Sequence, residues 1–164
     1  MSIKRAVSLA IAIAAGCVSS AQWSAQPKAQ GPAILNAESR QLFALMNRAR
    51  AKAGKPALMW DRALAEAALE HCLRMAAESP IRQLSHQYDG EAEVRSRARA
   101  AGAHFDLIVE NIASGPSVSA IQEAWMDSLQ HRENLLSPEV NSVGVAVVAA
   151  DGVLYAVADY SHFR

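Results

Sequence analysis

The chain carries no excess of either charge: 16 Lys and Arg are set against 16 Asp and Glu over 164 residues. Without an overall basic field nothing draws it to a phosphate backbone, and nucleic acid is not an expected partner. Apolar runs are short. The one at residues 6–15 falls well below the roughly 20 residues a spanning helix needs, and no later run is longer. Cysteine is scarce, with only Cys17 and Cys72. The first lies in the leading segment, so no disulfide can staple the folded part, which must rely on its core. There is no HExxH, GxSxG, P-loop, Gly-rich dinucleotide turn or CxxC, so the common hydrolase and nucleotide-binding readings lack support. Internal repeats are absent too.

What the chain does have is core material. Hydrophobic residues make up 51% of it, enough at this length for one well-buried domain and not for two. The first residues stand apart. Lys4 and Arg5 precede the apolar run, and small residues follow to Ala21, which is the order of an export signal over residues 1–21. Cleavage can be read in two ways: after Ala21, or at the lipobox Ala14-Ala15-Gly16-Cys17, which would make Cys17 the lipidated first residue. Either removes Lys4 and Arg5 and leaves a small acidic excess. The protein is therefore expected outside the cytoplasm: periplasmic, secreted, or held to the envelope through Cys17 alone. Residues 22–37, rich in Gln, Ser, Pro, Lys and Ala, read as a flexible tether. The domain is expected over residues 38–164.

Within it, Leu42, Leu45, Met46 and Ala49 recur at the spacing of one helical face from about residue 38, and Gly54 with Pro56 ends that helix. Asp61 is placed to cap a second helix, whose buried stripe would be Leu64, Ala68, Cys72 and Met75, with His71 at its margin and Glu66, Glu70 and Arg74 toward water. After a loop around residues 80–90, a third helix over 91–101 would set Glu91, Arg95 and Arg99 four apart on a solvated, salt-bridged face. A fourth is expected over 117–129, burying Val118, Ile121 and Trp125. Two β-branched and aromatic runs, 142–148 and 153–160, are joined through Asp151-Gly152, a strong hairpin signal, and a further strand is expected within 107–112. Helices early and a hairpin late argue for a sheet covered by helices.

Candidate chemistry is sparse. Cys72 beside His71 is not a thiol and its base, because neighbours on a helix point about 100° apart and Cys72 falls on the apolar stripe. His86, Glu110 and His131 fall at the ends of loops or elements, where a scaffold places working groups, yet spacing by itself does not bring them together.

An ordered set of segments does: Leu58-Met59-Trp60-Asp61, Ser85-His86, Glu110-Asn111-Ile112-Ala113, Trp125-Met126, His131-Arg132-Glu133-Asn134-Leu135-Leu136, Val143-Gly144-Val145 and Asp159-Tyr160. In this order and spacing the domain resembles the CAP superfamily of cysteine-rich secretory proteins, antigen 5 and plant pathogenesis-related proteins, in its bacterial form. The resemblance implies a three-layer α/β/α sandwich with a mixed, largely antiparallel central sheet and a cavity where His86, Glu110 and His131 meet. Asn111, Trp125 and Asn134 also match family positions, and for them a scaffold role is the safer reading. The chain departs from the family pattern at Val109, where a Gly is usual, at Leu129-Gln130, in place of Pro-Gly, and at Ser128, where many eukaryotic members have a second Glu.

Two imidazoles and a carboxylate could hold Zn²⁺ with one position open; the same three groups could form a metal-free polar network. The resemblance favours a non-enzymatic extracytoplasmic binding module for a small ligand, apolar, lipid-like or metal-assisted. A metal-dependent, peptidase-like hydrolase using Glu110 as ligand or base and an envelope scaffold are the alternatives.

Overall fold

A computed structural model describes residues 36–78 and 83–162. The export signal, most of the tether, Pro80 and the last two residues lie outside the described residues. Helix α1 (Ala37–Lys52) opens on Asn36, whose side chain accepts from the Ser39 amide at 2.8 Å, and Gly54 follows its end in the left-handed region at φ 66°. A two-residue strand β1 (Met59–Trp60) leads to α2 (Arg62–Glu78), capped by Asp61 through the Leu64 amide at 3.0 Å. Then come α3 (Val94–Ala100), β2 (Leu107–Gly115), α4 (Val118–Asp127), α5 (Leu129–Leu136), β3 (Ser142–Ala150) and β4 (Val153–His162).

The sheet runs β1-β3-β4-β2. β1 is parallel to β3, whereas β4 is antiparallel to both β3 and β2. Asp151 and Gly152 turn the hairpin with positive φ, 50° and 77°, the conformation that an Asp-Gly pair adopts most easily. Side chains alternate between the faces, and each face gathers its own core. Val143, Val145 and Val147 of β3 join Ala156, Ala158 and Tyr160 of β4 against α1, α4 and α5, through Leu42, Met46, Ile121, Trp125 and Leu135. On the other face, Ala146, Tyr155, Val157 and Ile112 meet Ala68, Cys72 and Met75 of α2, while Ile108 meets Leu64 and Ala98 of α3. The result is the expected α/β/α sandwich.

Four local expectations are corrected. His71 is not at the margin of α2 but fully buried, seven residues beyond Leu64 on the stripe that packs on the sheet. The salt-bridged face of the third helix does not form: α3 begins only at Val94 and Glu91 precedes it, turned inward, while Arg95 and Arg99 stack on Phe105 at 5.4 and 5.8 Å. The expected fourth helix breaks at Ser128, whose ψ of 124° leaves the helical region and starts α5. β2 also runs three residues beyond Ile112, because β4 is long enough to pair it as far as Gly115.

Candidate functional site

One row across the sheet sets the site. Gly144, Asp159 and Glu110 are register partners on β3, β4 and β2, so all three face α2. Gly144 lets α2 approach closely: a Cβ there would lie 2.0 Å from the Ala65 nitrogen and 2.1 Å from the Leu64 carbonyl carbon. That approach buries His71 above Glu110, with the His71 Nε2 4.0 Å from a Glu110 oxygen.

Glu110 is the hub, its side chain 3% exposed. One oxygen takes a hydrogen bond from His86 Nδ1 at 2.8 Å, and the other is paired with the Arg97 guanidinium. Arg97 is itself buried, and also donates to the carbonyls of Ala92 at 2.8 Å and His86 at 3.3 Å. His71 Nδ1 meets Glu91 at 2.6 Å, and the second Glu91 oxygen accepts from the Tyr88 amide at 2.9 Å. Residues 83–93 are thus tied to the body by buried charge rather than by apolar packing alone.

The two register-paired carboxyls are driven apart in acidity. Burial pushes Asp159 well above the usual carboxylate range, and the neighbouring Glu110 charge adds to this more than Arg97 relieves it. Neither Asp159 oxygen has a hydrogen-bond partner among the described residues, which favours the neutral acid beside Glu110. Burial alone would raise Glu110, but the His86 hydrogen bond and the His71 and Arg97 charges, with a smaller influence from Asp159, outweigh it and leave it below the ordinary value. Of the two register-paired carboxyls, one is thus pushed toward its neutral form and the other toward its charged form.

The second imidazole arrives from the other helical layer. Asn111, next to Glu110, points to the opposite face; its amide donates to the His131 carbonyl at 2.8 Å and to the Tyr160 hydroxyl at 3.2 Å, while Asn134 donates to the Asn111 carbonyl oxygen at 2.9 Å. Trp125 is buried and donates to the Ile112 carbonyl at 3.1 Å. β2 is an edge strand. His86 approaches it in the loop beyond α2 and His131 on α5; burial lowers the His131 pKa first, and the His86 charge lowers it further. His86 is the accessible member, with 53% of its side chain exposed.

The three residues do not fit a zinc centre. Both Glu110 oxygens are engaged, and among the described residues no three His, Cys, Asp or Glu side chains converge to hold a metal ion. Cys72 offers no nucleophile: burial pushes its thiol up to about 12, and it donates to the Tyr155 carbonyl. His71, Glu91, Arg97 and Asp159 are site residues that sequence reasoning left out. Two of them had a signal: Arg97 lies three and four residues from Val94 and Ala101, on the apolar side of its helix, and Asp159 holds an inward position between Val157 and Ser161.

A second feature lies on the opposite layer. A groove of about 390 Å³ between α1 and α4 is lined by Leu45, Ala49, Ala53 and Met126, with Arg48 and Lys52 also on its walls and Gln122 among them. Gln122 is 7% exposed, and neither atom of its amide has a partner among the described residues.

A three-layer sandwich whose sheet edge carries a carboxylate between imidazoles defines a CAP-type domain. The chain belongs to the cysteine-rich secretory protein family, whose model matches residues 43–160. It is 30% identical over 118 residues to the uncharacterized membrane protein YlbC of Bacillus subtilis, a match covering 70% of this chain and 32% of that protein. Among solved structures it resembles an extracellular SCP-domain protein of Bacillus anthracis, with TM-score 0.68, 26% identity and coverage of 77% of this chain and 40% of that one. It shares its fold with an outer surface protein of Borrelia burgdorferi, with TM-score 0.64, 20% identity and coverage of 77% and 93%. The chain thus spans less than half the length of the two Bacillus proteins.

Proposed function

We propose that this chain is an exported, non-enzymatic binding module that presents an ordered imidazole edge, His86 with His131, to a small ligand at the open edge of the sheet. The observation that carries this reading is the saturation of Glu110. A general base needs a lone pair facing water, whereas this carboxylate is buried with one oxygen on His86 and the other on Arg97; it orients the imidazole instead of activating a nucleophile. Export is supported by the signal-like first 21 residues, by the extracellular B. anthracis relative, and by the absence among the described residues of a helix long and apolar enough to cross a membrane. Lipidation of Cys17 is the form of anchoring consistent with these features.

A second observation favours an additional place for an apolar ligand. A buried amide with no partner costs about 1–3 kcal/mol, and in the α1–α4 groove Gln122 would be satisfied by the polar head of an amphiphile whose body covers Leu45 and Met126, Arg48 and Lys52 favouring a negative head.

The test is NMR titration of the purified chain with a library of small polar molecules, with decanoate and with Zn²⁺, beside turnover assays on a broad peptide and ester panel. Saturable shifts at His86 and His131 that vanish in a folded His86→Ala, His131→Ala variant are expected, with decanoate shifting the α1–α4 resonances instead and no turnover. Hydrolysis abolished by Glu110→Gln in a folded variant overturns the binding reading in favour of a hydrolase. Stoichiometric Zn²⁺ uptake lost in the double variant would show that Glu110 is released from its partners. No response to any probe leaves only a scaffold.

A further inference from the structure

We propose that Arg97 is the positioning residue of the imidazole edge, gripping His86 at two points, its main chain directly and its ring through Glu110. This rests on the reading that His86 is the group presented to the ligand.

The geometry is specific. One terminal nitrogen of Arg97 donates to the His86 carbonyl at 3.3 Å and to the Ala92 carbonyl at 2.8 Å, and the other is paired with Glu110. The free Glu110 oxygen then receives His86 Nδ1 at 2.8 Å. A single guanidinium therefore fixes both where residue 86 lies and which way its ring turns. Because the carboxylate can only accept, Nδ1 must carry the proton, and Nε2 is the nitrogen turned outward. Arg is the side chain that can do this: its planar fork reaches several acceptors at fixed angles, which a lysine ammonium cannot reproduce.

A merely structural role would look different. A buried arginine needed only to neutralise carboxylates would have Glu91 and Glu110 as its partners and no call on the main chain of the His86 loop. Glu91 is in fact the looser partner, at 3.7 Å, and holds the loop through His71 and the Tyr88 amide instead. The remaining Arg97 nitrogen, Nε, is buried without a hydrogen bond, so the fork has been aimed at His86 and Glu110 at the expense of its own full satisfaction.

Two variants separate the two grips. Arg97→Lys keeps the charge and loses the fork; Glu110→Gln leaves Arg97 on the main chain and removes the carboxylate that holds the ring. Long-range ¹⁵N–¹H spectra read the His86 tautomer, and amide exchange of Gln87 and Tyr88 reads the loop. In the unaltered chain a single Nδ1–H tautomer and protected amides are expected. Glu110→Gln should mix the His86 tautomers while protection is kept; Arg97→Lys should mix them and lose protection. Folding of each variant is checked from resonances of the β3–β4 hairpin. Unchanged His86 spectra and protection in folded Arg97→Lys overturn the proposal, as does loss of loop protection in Glu110→Gln equal to that in Arg97→Lys. If Arg97→Lys does not fold, Glu110→Gln decides alone: a single Nδ1–H tautomer there overturns the ring grip, and mixed tautomers over a protected loop support it. The outcome does not depend on any ligand. A clamp seen in a chain that answers no probe would sink the binding reading and leave the clamp standing.

Discussion

At the scale of the residue, the chain's commitment lies in polar groups placed where apolar ones would be expected. Asp159 occupies an inward position on a strand otherwise lined by Tyr155 and Val157, and it is fully buried. Burial, with Glu110 opposite, raises its pKa, so the folded state holds a proton that the unfolded chain, with an Asp near 3.9, releases. The contribution of Asp159 to stability is therefore full below about pH 3.9 and is lost as pH rises through the folded value. Glu110, held low, acts in the opposite sense: its contribution is present above an unfolded value near 4.3 and is lost on acidification. Asp159→Asn keeps the size of the side chain and cannot ionise. Its stability relative to the unaltered chain should rise as pH climbs above about 4, as read by urea unfolding; a difference flat with pH would show that Asp159 holds no proton. Such residues were hard to read in advance because each breaks a pattern by one position. The eye follows Leu64, Ala68, Cys72 and Met75 down α2 and sets His71 aside, although it stands one heptad from Leu64 on the same stripe.

At the scale of the element, legibility followed the physics of local signals. The β3–β4 hairpin was evident because Asp151-Gly152 and two β-branched runs point to one answer, α1 because its apolar stripe ends at Gly54, and α2 because Asp61 caps it. The break between α4 and α5 was not, since Ser128 carries no Pro or Gly and the turn is fixed by how α5 packs. Nor was the two-residue β1, which exists because β3 offers it an edge. The close contact of α2 with the sheet depends on Gly144. Gly144→Ala would press a methyl into the backbone of residues 64 and 65, where nothing flexible can give way, and should cost about 3 kcal/mol, the upper end for overpacking. Because α2 also carries His71, the hairpin and the loop around His86 should loosen together. Denaturant unfolding with amide exchange checks both; a loss below about 0.5 kcal/mol, the size of an ordinary surface change, would mean the layers are looser than drawn.

At the scale of the whole molecule, the candidate site is a product of topology. Glu110 and Asn111 are neighbours in sequence and face opposite layers, so the edge strand β2 is gripped by α3 and the His86 loop on one side and by α5 on the other. His86, Glu110 and His131 could be named from the ordered family segments, yet periodicity gave no hint that two separate layers deliver them, since that depends on the crossover that puts β2 outermost. The arrangement makes a measurable claim about communication across the edge. The His131 pKa is lowered first by burial and second by the His86 charge. His86→Ala removes the second influence only, and taking away a positive neighbour makes protonation easier. The His131 pKa should therefore rise part of the way toward its ordinary value near 6.5, as read from its ring protons in an NMR pH titration. A shift of equal sign should be absent in Cys72→Ala, which alters the core beneath α2 without removing a charge. A His131 titration unmoved by His86→Ala would mean that the imidazoles do not share a site, and the binding reading would have to be rebuilt on the α1–α4 groove alone.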